Sequence, residues 1–249
     1  MYTVEEMVEL KKKYGLSYEF ISERSGVSLS TVQKVLGGIN KNPRRNTLES
    51  LSAFFEQFGS GSADIYTQSG YTYEDYYRLE LPEGKRVEVI DGVIYDMSAP
   101  SVLHQLIMME VSLAFANYIK KNKGKCIAVV SPVDVRLEYD KGDMTVVQPD
   151  LIVVCDREKF SDIRAVKGAP DFVLEVLSPS TRKRDLNIKK KKYQENGVRE
   201  YWIADPESRV VIKTVFEGEE RSTMYTFEDD IPVYIYDGKL VVTLRDLEF

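Results

Sequence analysis

At 249 residues, with 43% hydrophobic and 30% charged side chains, the chain is long enough for one large or two small domains, and its patterns favour two. The formal net charge of −6 excludes the uniformly basic surface of a typical nucleic-acid binder, so any contact with phosphates must come from local clusters. A single histidine and two cysteines argue against zinc chemistry.

The N-terminus, Met1-Tyr2-Thr3-Val4-Glu5-Glu6, has neither the basic nor the apolar region of a signal peptide. No apolar run approaches the ~20 residues that span a bilayer. A cytoplasmic protein without a membrane partner is the expectation. Cys126 and Cys155 sit in apolar, strand-like runs and are expected to be small buried side chains, not a disulfide or a metal site.

Residues 1–58 read as an all-α domain. Val4, Met7, Val8, Leu10 and Lys11 open an amphipathic helix, and a second is expected over Tyr18 to Ser25, begun by Ser17 and ended by Gly26. Ser28 is placed to cap a third helix, Leu29 to Leu36, and Asn46 to cap a last one, Thr47 to Phe58. The segment from Phe20 to Gly37 resembles a Cro-type, lambda-repressor-like helix-turn-helix. Gly26 permits its tight turn, and Val27 and Val32 point inward. Ser28, Ser30, Thr31, Gln33 and Lys34 are the candidate DNA contacts, with side chains suited to base edges and phosphates in a major groove. That resemblance implies DNA as a partner and a homodimer reading paired half-sites. A helical hairpin used only for packing is the competing reading.

Residues 59–70, beginning Gly59-Ser60-Gly61-Ser62, form the expected linker, and 71–249 the second domain. An aromatic-rich helix starts it at Tyr71. Val87 to Ile90 and Val93 to Met97 flank Asp91-Gly92, a hairpin signal, with Glu88 on the first strand. A long helix is expected over Ser101 to Lys121, with His104 in its first turn. Strands follow at Lys125 to Val130, Val133 to Glu138, Thr145 to Cys155, Phe172 to Leu177 and Tyr201 to Ala204, with Asp140-Lys141-Gly142 as a tip. Further strands at Val210 to Phe216, Met224 to Phe227, Val233 to Tyr236 and Leu240 to Leu244 carry no functional signal.

The chemistry concentrates between Val146 and Asp205. Two apolar, strand-length runs each hold one carboxylate, Asp150 and Glu175, and a charge in such a run is costly unless it is paired, hydrogen-bonded or metal-bound. A short lysine-rich helix after Glu175 ends at Gly197, and Tyr201-Trp202-Ile203-Ala204 follows. Strand, helix, strand at this spacing is a βαβ unit with parallel strands, so a lysine on the helix's inner edge can reach the carboxylates. Lys189 is the candidate. Arg44-Arg45 and Arg182-Lys183-Arg184 are clusters that could meet phosphates.

Pro149-Asp150, Glu175-Val176-Leu177-Ser178-Pro179-Ser180-Thr181, Asp185 with Lys189 and Tyr193, and Glu200-Tyr201-Trp202 resemble the Uma-two family of restriction-endonuclease-like proteins. Arg86 to Gly92 and Ser98 to Gln105 match its opening motifs in order. The resemblance implies an α+β fold in which a PD-(D/E)XK nuclease-like mixed sheet, flanked by helices, follows the helix-turn-helix. It implies Asp150 and Glu175 as ligands of Mg²⁺, or Mn²⁺, Lys189 and Glu88 as further catalytic members, and phosphodiester hydrolysis. Leu177 occupies the place where the broader nuclease pattern has its lysine, which on this reading has moved to the following helix as Lys189. The alternative is a DNA-binding transcriptional regulator whose nuclease-like domain is inactive and serves dimerisation or partner binding.

Overall fold

The structure, a computed structural model, describes residues 2–13, 18–40, 43–59, 70–81, 83–139, 142, 144–179 and 181–247. Most of the expected linker over 59–70, Ser17 and the tip Asp140-Lys141 lie outside the described residues. The chain divides into two compact units, Met1–Met97 and Ser98–Phe249.

In the first unit, four helices, α1 (Val4–Lys13), α2 (Tyr18–Ser25), α3 (Leu29–Leu36) and α4 (Arg45–Gly59), share one apolar core. Met7, Ile21, Val32, Val35, Leu36, Leu51, Phe54 and Phe55 fill it. Gly26 takes φ +70°, a conformation that side chains resist, and so turns the chain between α2 and α3. Two capping expectations are corrected. Ser28 stands at the N-cap of α3, but its hydroxyl lies 2.8 Å from Thr31 Oγ1 and bonds no backbone N–H. Helix α4 begins at Arg45, which puts Asn46 inside its first turn. A capped turn, α5 (Tyr73–Tyr77), and a hairpin of β1 (Arg86–Ile90) with β2 (Val93–Met97) complete the unit. Val87, Val89 and Ile94 form a separate small cluster there.

The second unit is built on α6 (Val102–Lys121), β3 (Ile127–Val130), β4 (Asp134–Arg136), β5 (Val146–Val147), β6 (Leu151–Val154), β7 (Ala165–Lys167) and β8 (Phe172–Val176). It continues through α7 (Lys190–Asn196), β9 (Glu200–Asp205), β10 (Val210–Val215), β11 (Arg221–Thr226), β12 (Ile231–Pro232) and β13 (Val241–Val242). Six strands form one sheet in the order β11-β10-β9-β8-β6-β3. Strands β8 and β9 are its parallel pair, as the βαβ spacing predicts, and their register sets Glu175 beside Ile203. The pair is crossed by α7, whose C-cap Gly197 takes the left-handed conformation.

Helix α6 covers one face of this sheet. Ile107, Val111 and Phe115, four residues apart, pack on Leu151, Val153, Phe172, Leu174, Val176 and Trp202. Phe115 and Phe172 rings lie 4.5 Å apart. Helix α6, 20 residues long with an 18-residue stretch of mean hydropathy 1.3, also reaches the length and composition of a bilayer span, contrary to the expectation that no stretch would. Of its buried side chains, Ile107, Val111 and Phe115 are packed on the sheet.

Three further expectations change. The single strand expected over Thr145 to Cys155 is two strands, because Pro149 lacks an N–H for the ladder. Strand β5 pairs with β4, whereas β6 pairs with β3 and β8. Residues 234–236, expected in a strand, form a 3₁₀ turn. Cys126 and Cys155 are joined in a disulfide. The register explains it: Ile127 faces Val154, so one step outward the two cysteines face each other across the pair. Neither is therefore expected to react with a thiol-alkylating reagent in denaturant unless a reductant is added first, which mass spectrometry of the labelled chain checks.

Candidate active site

The break at Pro149 starts β6 at Leu151 and leaves Asp150 just before it. Leu151 pairs with Leu174, so Asp150 falls opposite Glu175 on the neighbouring strand. Asp150 Oδ2 accepts a hydrogen bond from the backbone N–H of Val176 at 2.7 Å. His104 Nε2 lies 3.1 Å from the same oxygen, brought there by the first turn of α6, whose N-cap Ser101 accepts from the His104 N–H.

Alternation decides what surrounds Glu175. Phe172, Leu174 and Val176 face the α6 core, so Val173 and Glu175 face the opposite layer. That layer is the turn between β8 and α7. Residues Arg184–Lys189 form a π-helical turn that runs directly into α7. In a regular α-helix each i+4 partner drifts forward by roughly 40°, and the wider π turn drifts the other way. The offset keeps Asp185, Lys189 and Tyr193 over one another on a single buried face. Lys189 Nζ lies 2.5 Å from Glu175 Oε1 and 3.8 Å from Asp185 Oδ1. The Tyr193 hydroxyl donates to Glu175 Oε1 at 2.6 Å, and the Tyr201 hydroxyl donates to the Asp185 carbonyl at 3.1 Å. Only 2% of Lys189 is exposed, so its charge rests on these partners.

A cleft of about 560 Å³ opens beside His104, the partner of Asp150. Its walls are the start of α6 with the residues before it, the loop after β8, and the end of β9, and His104 lines it. Arg182 extends from the loop and lies 2.8 Å from Asp205 at the end of β9. Burial pushes the Asp205 carboxyl up, but hydrogen bonds from Arg182 and Ser208 outweigh it and hold the group below the usual carboxylate range. The same pairing raises the Arg182 guanidinium.

The structure thus brings Asp150, Glu175 and Lys189 into one neighbourhood. Glu88 is buried on β1 of the first unit. Ser28, Ser30, Gln33 and Lys34 lie exposed around α3, with Thr31 half-buried. Asp185, Tyr193 and the Arg182–Asp205 pair were not singled out as site members by reading residues alone. The i, i+4, i+8 spacing of Asp185, Lys189 and Tyr193 was the available signal.

Among the described residues, no cluster of three or more His, Cys, Asp or Glu side chains has the geometry to hold a metal. Asp150 and Glu175 nevertheless fit Mg²⁺ in donor chemistry. Mg²⁺ takes hard oxygen ligands, keeps several waters and is commonly held by one or two carboxylates. Among the described residues, nothing donates to Asp150 Oδ1.

A mixed sheet with a helical layer on each face and carboxylates at the ends of two adjacent strands defines an α+β domain of the restriction-endonuclease-like class. The chain belongs to the Uma2 family, described as "Putative restriction endonuclease", whose model matches residues 73–232. The helices before residue 73 lie outside that match. An uncharacterized protein of Synechocystis sp. is 26% identical over 147 residues, covering 59% of this chain and 74% of that protein. A crystal structure described as a "putative nuclease belonging to DUF820", from Anabaena variabilis, aligns with a TM-score of 0.57. It shares 21% identity and covers 72% of this chain and 97% of its own, which establishes the fold.

Two outcomes follow from the geometry. Lys189→Met strands Glu175 and Asp185 in the interior and should cost about 3–5 kcal/mol in urea denaturation. Adding Glu175→Gln should restore part of that loss, as a double-mutant cycle measures. The depressed Asp205 group gives stability that is present above the ordinary aspartate pKa of about 3.9 and is lost as pH falls through its lower folded value. Melting temperatures of Asp205→Asn should therefore be flatter than those of the wild type across that acidic window.

Proposed function

We propose that this protein is a metal-dependent DNA endonuclease whose nuclease-like domain is targeted by the N-terminal helices. One observation carries the reading: within a family described as "Putative restriction endonuclease", Asp150 falls opposite Glu175, and Lys189 Nζ lies 2.5 Å from Glu175. Two carboxylates can hold a divalent ion and an ammonium can offset charge on a phosphate, which suits metal-assisted phosphodiester hydrolysis.

On this reading Asp150 and Glu175 hold Mg²⁺, or Mn²⁺, which when bound supplies Lewis-acid stabilisation of the phosphate and an acidified water. Lys189 offsets negative charge developing on the phosphate, and the Tyr193 hydroxyl fixes Glu175 in one orientation. His104 fixes Asp150 from the other side. The Val176 N–H does the same from the backbone, so the carboxylate is positioned before substrate arrives. In the N-terminal helices, Ser28, Ser30, Thr31, Gln33 and Lys34 contact a major groove, with two copies of the chain reading paired half-sites. On this reading the DNA-binding and nuclease-like domains are 1–58 and 71–249, a division made before the β1–β2 hairpin that packs within the first compact unit, and the protein acts in the cytoplasm.

The test is a pair of substitutions with two readouts. Mg²⁺ should raise the melting temperature of the wild type, because it binds the folded site and hardly the unfolded chain. Glu175→Gln should abolish both that rise and cleavage of a DNA panel. Lys189→Ala should lose cleavage by a factor of about 100 or more, consistent with removal of one charge-stabilising group, yet keep the metal-induced rise. Equal Mg²⁺ affinity in wild type and Glu175→Gln by calorimetry would sink the metal site and leave the inactive, DNA-binding regulator as the better account.

A further inference from the structure

The cleft beside His104 has a composition that hydrolysis alone does not use. Leu103, Leu177, Pro179 and Pro206 give it apolar walls, and Arg182 is the Lys or Arg side chain among the residues that line it. Asp205 and Glu207 line it as well, so its carboxylates outnumber its guanidinium by two to one.

Each property narrows the occupant. A volume of about 560 Å³ falls in the range, roughly 300–1,000 Å³, of sites that enclose one small molecule. Apolar walls gain nothing from a phosphate string and gain from covering the face of an aromatic ring. A net negative lining repels a polyanionic backbone laid along it, whereas an uncharged base is tolerated. In a duplex the base faces are stacked away, so only an unpaired or extruded nucleotide can offer one. Its position completes the case: His104 lines the cleft and touches Asp150 in the same turn.

Arg182 supplies the polar contact. Its partner Asp205 is itself fixed, by the Ser208 hydroxyl at 2.5 Å and by the Glu207 and Ser208 N–H groups at 3.1 and 3.4 Å. Arg182 keeps 46% of its side chain exposed while Asp205 keeps 4%. Among the described residues the guanidinium is therefore held by one edge, and its remaining N–H donors are left for acceptors on a base edge. We infer that this cleft receives one unpaired nucleobase of the bound strand, next to the bond cleaved, and that Arg182 is its recognition residue. This rests on the nuclease reading for the location of that bond, but base binding itself does not require cleavage.

The test uses the full chain in EDTA, so that no strand is cut. The probes are a single-stranded oligonucleotide carrying 2-aminopurine and the same strand annealed to its complement. The wild type should change the 2-aminopurine fluorescence of the single strand. Arg182→Ala should weaken single-strand binding about tenfold and leave duplex binding unchanged. Ala99→Glu, at an exposed wall position, should remove the fluorescence change without touching the Asp205 pair, which covers the case in which Arg182→Ala folds poorly. Equal weakening of both probes by Arg182→Ala would make it a phosphate contact and overturn the inference. So would a wild type whose single-strand fluorescence does not respond. Single-strand binding through Arg182 in a protein that cuts nothing with Mg²⁺ would sustain the cleft and sink the nuclease reading. Mg²⁺-dependent cutting with no such binding would do the reverse.

Discussion

The buried ion pair between Lys189 and Glu175 constrains the second unit more than any other contact. Both side chains are almost wholly buried, and removing either charge from water costs several kcal/mol unless close partners replace the solvent. The fold meets that demand from three directions. Strand β8 turns Glu175 away from the α6 core, the π turn carries Lys189 and Asp185 over it, and Tyr193 closes the cluster with its hydroxyl. The tyrosine rings of 193 and 201, 5.0 Å apart, fill the space that a smaller pair would leave to water. The parallel β8–α7–β9 unit can be seen as the scaffold that makes one ammonium–carboxylate contact affordable.

Asp150 is held by different means, through the backbone of the next strand and a histidine from the opposite layer. It sits where β6 begins, so both layers can reach it. The two carboxylates therefore belong to separate hydrogen-bonding systems that meet only at the strand ends. That separation lets one be anchored by a buried cation while the other keeps an oxygen without a donor among the described residues.

Much of this was legible in the sequence, for physical reasons. A carboxylate inside an apolar run is a conspicuous cost, so Asp150 and Glu175 stood out, and βαβ spacing directed attention to a lysine on the returning helix. What was missed depended on pairing between distant residues. The disulfide needed the register of β3 with β6, and the division of residues 145–155 between two pairings needed Pro149 to be read as a strand breaker. The Arg182–Asp205 pair joins the segment after β8 to the end of β9, which no periodic pattern relates. In the first unit the helices followed their apolar spacing, while the cap of α3 did not follow residue preference: Ser28 places its hydroxyl against Thr31.

The π turn also bears on how such sites are found. A catalytic-type lysine is usually sought at a fixed offset from its carboxylate, and here that offset holds Leu177, which is buried. The ammonium instead arrives from a helix whose winding carries an extra residue. A single insertion or deletion in that turn would rotate the buried face by nearly a third of a circle, so a neighbouring position in a related chain could deliver its lysine to the same point. Spatial convergence of the charged ends, and not spacing along the chain, is then the invariant by which members of this fold should be aligned.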